Sequence, residues 1–293
     1  MMKQTEQSQR KTTITAFLKE MGIIFGAFLL LNSFVLASFE VPTGSMENEI
    51  MTGDFLLVNK FVFGGTTPKT IPFTSTKLPS FKLPAFWKVE RGDIIVFMFP
   101  GYRDEVEPAE FAYYLKRCMA VAGDTLQVIE RVVYVNGKPA PVPANIKFNS
   151  SVLKPAGYVD SRIFPNGAPF NEDNYGPIVI PKKGDVISLS AESFERWNIF
   201  IRREGHSAEL LNGKVYVDKI PSDHYTVKRD YVFGMGDNRD NSLDSRFWGF
   251  IPAEAIVGTP LIVYWSWDPD HPIFDLGGKL SSVKWNRFGT LVK

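Results

Sequence analysis

From Met21 to Phe39 the chain runs for nineteen residues in which only Asn32, Ser33 and Ser38 are polar. As a helix this run would be about 28 Å long, close to the hydrocarbon thickness of a bilayer. Lys3, Arg10, Lys11 and Lys19 precede it, against Glu6 and Glu20. A basic flank stays on the cytoplasmic side. The expected organisation is a cytoplasmic tail at 1–20, a transmembrane helix at 21–39, and a domain at 40–293 on the outer face. A cleavable leader is the alternative, since Leu36-Ala37-Ser38 is rich in small residues. The run exceeds the apolar core of such leaders, roughly 7–15 residues. A buried helix of a soluble protein fits less well, because the run has no polar face.

The part beyond residue 40 reads as folded and rich in strands. Hydrophobic residues make up 44% of the chain and charged residues 22%, a balance that argues against disorder. The 24 Phe residues, with many Val, Tyr and Trp, favour β-structure. Gly53–Lys60 is a turn and a strand, and Arg91-Gly92-Asp93 turns into a strand at Ile94–Phe99. Phe111–Val121 is a buried strand, and Ile256–Trp267 another. Residues 125–229 form a β-rich lobe, with hairpins at Asn136-Gly137 and Asn212-Gly213. Within it, 139–177 is Pro/Gly/Asn-rich and reads as loops. Residues 64–88 read as a surface loop whose Phe73, Phe81, Phe86 and Trp87 either dip into lipid headgroups or pack on the body. Trp265, Trp267 and Trp285 face the same choice.

Several functions are disfavoured by what is absent. A net charge of +1 argues against nucleic acid as the main partner. His206, His224 and His271 are scattered and lack ligand-like spacing, so neither a metal nor a cofactor is expected. The single Cys118 cannot form an intramolecular disulfide.

Three stretches carry the chemistry. In Glu40-Val41-Pro42-Thr43-Gly44-Ser45-Met46, Pro42 and Gly44 fix the path so that Ser45 protrudes with its own N–H free. Taken alone, such a segment is usually a surface turn. In Phe111–Val121, alternation puts Tyr114, Lys116 and Cys118 on one face and Leu115, Arg117 and Met119 on the other. Lys116 there is either an edge lysine snorkelling to water or a buried base. Gly234–Pro252 is dense in short polar and charged residues, then turns aromatic. It reads on its own as a loop tied by Asp–Arg pairs.

Assembled, these stretches resemble bacterial type I signal peptidase, the membrane-bound leader peptidase. The carrying segments are Pro42–Met46 after an apolar span, Tyr114-Leu115-Lys116-Arg117 with Gly123-Asp124, and Gly236–Arg246 followed by Trp248-Gly249-Phe250. Arg91–Val96 is similar to a further family segment. The resemblance implies a mainly β, antiparallel catalytic domain and a Ser/Lys dyad that cleaves signal peptides from secreted preproteins. Ser45 falls at the nucleophile and Lys116 at the general base. Thr43 falls at the hydroxyl of the oxyanion hole, Ser242 at the residue that orients the amine, and Asp244 and Arg246 at an ion pair behind the site. Phe39, Val41, Ile50, Tyr114 and Leu115 match the walls of shallow pockets that accept Ala at P1 and P3. The chain departs from the family in carrying Glu47-Asn48-Glu49 after Met46, where a proline-containing turn is common, and one apolar span rather than two.

The chemistry implied is coherent from the residues themselves. With no histidine paired to it, Ser45 needs another base. A lysine amine can serve if burial brings its pKa well below about 10.4. Two rivals remain open: a self-cleaving repressor-type Ser/Lys protease, and a membrane-tethered β-domain that binds exported proteins without cutting them.

Overall fold

The computed structural model describes residues 2–66, 79, 81–272 and 274–293. Phe73, one of the aromatic residues considered for lipid contact, lies outside them. An antiparallel eight-stranded sheet carries the site. Its strands are β1 (Leu36–Glu40), β2 (Asp54–Asn59), β3 (Ile94–Met98), β4 (Tyr113–Val121), β5 (Tyr231–Met235), β6 (Ile251–Pro252), β7 (Ile256–Ser266) and β8 (Thr290–Leu291). The order across the sheet is β1-β2-β7-β3-β4-β5-β6, and β8 pairs with β7. The fold is mainly β, with four α-helices among the described residues.

Helix α1 spans Met2–Phe34, and its segment Thr15–Phe34 is long and apolar enough to cross a membrane. Only 6% of that apolar window is buried against the rest of the chain, leaving its side chains bare. The helix departs from expectation at both ends. It begins within the polar tail, and it stops at Phe34 rather than Phe39. Leu36–Glu40 instead forms β1, pairing Phe39 with Leu56. The reason is twofold. Ser38 and Glu40 alternate with Ala37 and Phe39, and the open edge of β2 supplies the backbone partners.

Two buried clusters sandwich the strands that matter. On one side Met46, Ile50, Leu56, Val58 and Val263 pack together. On the other, Ile95, Phe97, Cys118, Trp248 and Ile251 do. Register places Lys116 opposite Ile95 on β3. On its other side, β4 meets β5 through an irregularity at Phe233/Gly234. Gly234 is needed there, since a Cβ would stand 3.0 Å from that of Lys116 and 2.9 Å from Ile251.

Residues 125–229 hold three small sheets. One of four strands includes Thr125–Ile129 and Val132–Val135, one of three includes Ala208–Leu211 and Lys214–Val217, and one of two pairs His224–Thr226 with Val186–Ser188. Both Asn-Gly turns sit at positive φ on both residues, as tight hairpins require. The segment also contains a helix that a β-rich reading misses, α2 at Phe194–Arg203. It buries Phe194, Phe200 and Ile201 on one face and leaves its charged residues on the other.

Candidate active site

The turn after β1 delivers Ser45. Val41 continues the β1–β2 ladder, donating to Asp54 O and accepting from Gly53 N, both at 2.9 Å. The chain then folds back on itself, with Glu47 N donating to Gly44 O and Ile50 N to Met46 O. Met46 is driven into the core, 1% exposed, and this levers Ser45 against the sheet. The Ser45 carbonyl accepts from Asn238 N at 3.0 Å. Gly236 makes that approach possible, because a Cβ there would lie 2.5 Å from Ser45 O and 2.2 Å from Ser242 Oγ.

Strand β4 delivers Lys116. Its Nζ is hydrogen-bonded to Ser45 Oγ at 2.6 Å. It is not a snorkelling edge residue: it is 3% exposed, between β3 and β5. The rings of Tyr114 and Trp248 lie 5.8 and 5.9 Å from Nζ. Burial in this apolar setting lowers the amine from 10.5 to about 8; Asp244 and Asp237 oppose the shift and Arg246 adds to it.

Asp244 and Arg246 stand behind the lysine, both buried. Arg246 donates from Nε and Nη2 to the two carboxylate oxygens at 2.9 and 2.8 Å. Burial alone would raise Asp244, yet Arg246 and the N–H of Gly236 hold it below its ordinary range. The same carboxylate accepts from Gly236 N at 3.1 Å, so the pair also fixes the loop against Ser45. A second buried pair was not anticipated. Arg117 donates to Asp237 at 2.6 and 2.9 Å, bolting the far face of β4 to the same loop. The signal was available: Arg117 lies within a strand that reads as buried, where an unpaired guanidinium would be costly.

Ser242 is brought to the site but makes no bond to the amine. Its hydroxyl is buried without a hydrogen-bond partner among the described residues. Thr43 is exposed and lines the cleft together with Ser45. That cleft has a volume of about 770 Å³. Phe39, Val41, Tyr114 and Leu115 line it, and Leu56 and Val96 join them. Ile50 does not. It is fully buried beside Met46, because the tight turn at 46–50 folds it inward. Arg162, Glu172 and Asp240 add charged groups to the lining. His206 and His224 pair with Asp218 and Asp223 on the surface and are not among the cleft residues. Among the described residues no group of His, Cys, Asp or Glu is arranged to hold a metal.

A hydroxyl hydrogen-bonded to an amine that burial brings to about 8, in a cleft that is partly apolar, is equipped for nucleophilic attack with general-base assistance. Comparison with known proteins points the same way. Residues 14–265 match the family described as "Signal peptidase, peptidase S26". A signal peptidase I of Buchnera aphidicola is 28% identical over 299 residues, covering 98% of this chain and 84% of the relative. Those of Haemophilus influenzae and Pseudomonas aeruginosa are 29% and 28% identical, covering 94% and 92% of this chain and 75% and 79% of theirs. With a family match across most of its length and a hydroxyl–amine pair at the base of its cleft, this chain belongs to the signal peptidase family, peptidase S26, and is a serine-type peptidase.

Proposed function

We propose that Ser45 and Lys116 form a catalytic dyad that cleaves N-terminal signal peptides from secreted preproteins after small residues. The observation that carries this reading is the 2.6 Å contact between Oγ and an amine that burial brings to about 8. In its neutral form the amine accepts the hydroxyl proton as Oγ attacks the scissile carbonyl. The resulting oxyanion is met by the Ser45 N–H, which donates no hydrogen bond within the described residues, and by the Thr43 hydroxyl. On collapse, the C–N bond breaks and the lysine ammonium returns its proton to the leaving amine. Water then releases the acyl group by the same route, with Lys116 again as base. Ser242, whose buried hydroxyl makes no hydrogen bond among the described residues, is the residue proposed to orient the amine without adding charge.

The proposed preference for alanine at P1 and P3 is supported by the apolar residues of the cleft, Phe39, Val41 and Leu115 with Leu56 and Val96. The bare helix at Thr15–Phe34 supports a membrane pass, and Lys3, Arg10, Lys11 and Lys19 before it support a cytoplasmic N-terminus with the remainder on the outer face of the cytoplasmic membrane. Lipid contact of the domain is supported by Trp87, Trp285 and Phe288, each more than 60% exposed. Trp267, in contrast, packs on the body, its ring 4.7 Å from the buried amine of Lys279.

The test uses the full chain in detergent and a preprotein with alanine at P1 and P3, sequencing the new N-terminus. Wild type cleaves after the P1 alanine and rejects phenylalanine at that position. Cleavage by a Ser45→Ala variant would overturn the assignment.

A further inference from the structure

The 125–229 segment reaches into the turn that carries Ser45. Its stretch Asn145–Ser150 is laid along the 236–241 loop. Lys147 N donates to Asp237 O, and Arg239 N donates to Lys147 O, both at 2.8 Å. The Asp240 carboxylate accepts from the N–H groups of Asn149 and Ser150 at 2.7 and 2.8 Å. Asn149 Nδ2 donates to Asn238 Oδ1 at 3.0 Å. Asn238, so held, donates its own Nδ2 to Gly44 O and its N–H to Ser45 O, each at 3.0 Å.

From this platform three side chains take hold of the acidic residues that follow Met46. Lys147 Nζ donates to Glu47 Oε2 at 2.7 Å, and Asn238 Nδ2 donates to the same oxygen at 3.1 Å. Asn145 Nδ2 donates to Glu49 Oε2 at 2.5 Å. Glu47 is folded back over the chain, since a Cβ on Gly44 would stand 2.5 Å from Glu47 Oε1. Its carboxylate therefore braces the backbone next to Ser45. The turn itself lacks proline and places Asn48 at φ 79°. It takes part of its rigidity from outside.

We infer that Lys147, acting through Glu47, is a positioning residue for Ser45, and that the inserted segment serves the chemistry by clamping the nucleophile turn. The inference rests on the reading of Ser45 as nucleophile. The ion pair is partly solvent-exposed, so little global stability depends on it. What it supplies is geometry. Attack requires the reacting atoms within about 3–3.5 Å, and an error of about 1 Å costs on the order of 100-fold in rate.

The test compares Lys147→Met, Lys147→Arg, Lys147→Glu and the exchange Glu47→Lys/Lys147→Glu with wild type and Ser45→Ala, as full chains in detergent. Lys147→Met should lower kcat roughly tenfold with KM within about twofold and an unchanged thermal midpoint. Lys147→Arg should recover most of the loss, and the exchange should exceed Lys147→Glu alone. Wild-type kcat in Lys147→Met, or a loss that arginine does not recover, would overturn the inference. If Ser45→Ala is inactive while Lys147→Met is fully active, the positioning role alone fails. If Ser45→Ala still cleaves, the nucleophile assignment fails first.

Discussion

Replacing Lys116 with methionine separates what the buried amine costs from what it does. The folded chain holds this amine at about 8 against an ordinary value of 10.5. At about 1.4 kcal/mol per tenfold, that difference is roughly 3 kcal/mol. The unfolded chain keeps its proton up to about 10.5 and the folded chain only up to about 8. Between these limits the unfolded state binds more protons, so stability rises with pH across the window and the full penalty applies below it. Methionine fills a similar space and carries no proton. It forfeits the hydrogen bond to Ser45, worth about 1 kcal/mol. At about pH 6 the variant should therefore be more stable than wild type by roughly 2 kcal/mol, and near pH 11 less stable by roughly 1 kcal/mol. Urea unfolding in detergent, followed by tryptophan fluorescence, measures both, and titrations common to the two proteins cancel in the difference. A wild-type-minus-variant difference that does not change with pH would refute the reasoning. Cleavage should be lost in the variant at every pH. In wild type kcat/KM should rise about tenfold from about pH 7 to about pH 9, as the neutral fraction climbs from about one-eleventh to about ten-elevenths.

The remaining expectations concern single groups. Thr43→Val should lower kcat by roughly 10²–10³-fold with little change in KM, whereas Thr43→Ser should keep most activity; steady-state kinetics on the preprotein decides it. Asp244→Ala leaves the guanidinium of Arg246 buried and uncompensated, and should cost roughly 3–5 kcal/mol by denaturant titration. The double replacement Asp244→Leu/Arg246→Met should cost less than the single one, because it removes the orphaned charge along with its partner. In spheroplasts, external protease should digest the 40–293 domain and spare the short N-terminal segment; a protected domain would reverse the orientation.

What could be read in advance follows from how local each feature is. Strands β2, β3 and β7 and both Asn-Gly hairpins declare themselves within a few residues, through turn chemistry and β-branched runs. Ser45, Lys116, Asp244 and Arg246 were legible because each sits in a short pattern of unusual residue types. The end of α1 was not, because the strand at Leu36–Glu40 exists only by virtue of β2, some twenty residues on. Ile50 was assigned to the cleft wall from the family resemblance alone, and the tight turn at 46–50 sends it into the core instead. The ties of Glu47 and Glu49 to Lys147 and Asn145 span about a hundred residues of sequence and leave no periodic trace. In α2, the charged face and the buried aromatics follow a helical period, but they lie inside a stretch whose flanking hairpins speak for strand.

The passage from α1 to β1 has a mechanical consequence. Val35 makes the last helical bond, its N–H donating to Leu31 O, and its carbonyl already accepts from Lys60 N in the sheet. Lys60 also reaches back with its amine to Asn32 O. Helix and sheet thus share a residue, and no swivel separates them. A protein on a slack tether would sweep its cutting edge through a volume. This one holds it at a set distance from the end of the helix. From Val35 to Val41 the extended chain covers about 20 Å, at roughly 3.3 Å per residue. A preprotein whose own apolar segment is held in the bilayer must bridge a comparable gap before its scissile bond arrives. On the proposed membrane pass, the anchor would act as a gauge of substrate length: preproteins shortened between apolar core and cleavage site should be cut more slowly than full-length ones, and equal rates in detergent-free vesicles would refute the gauge.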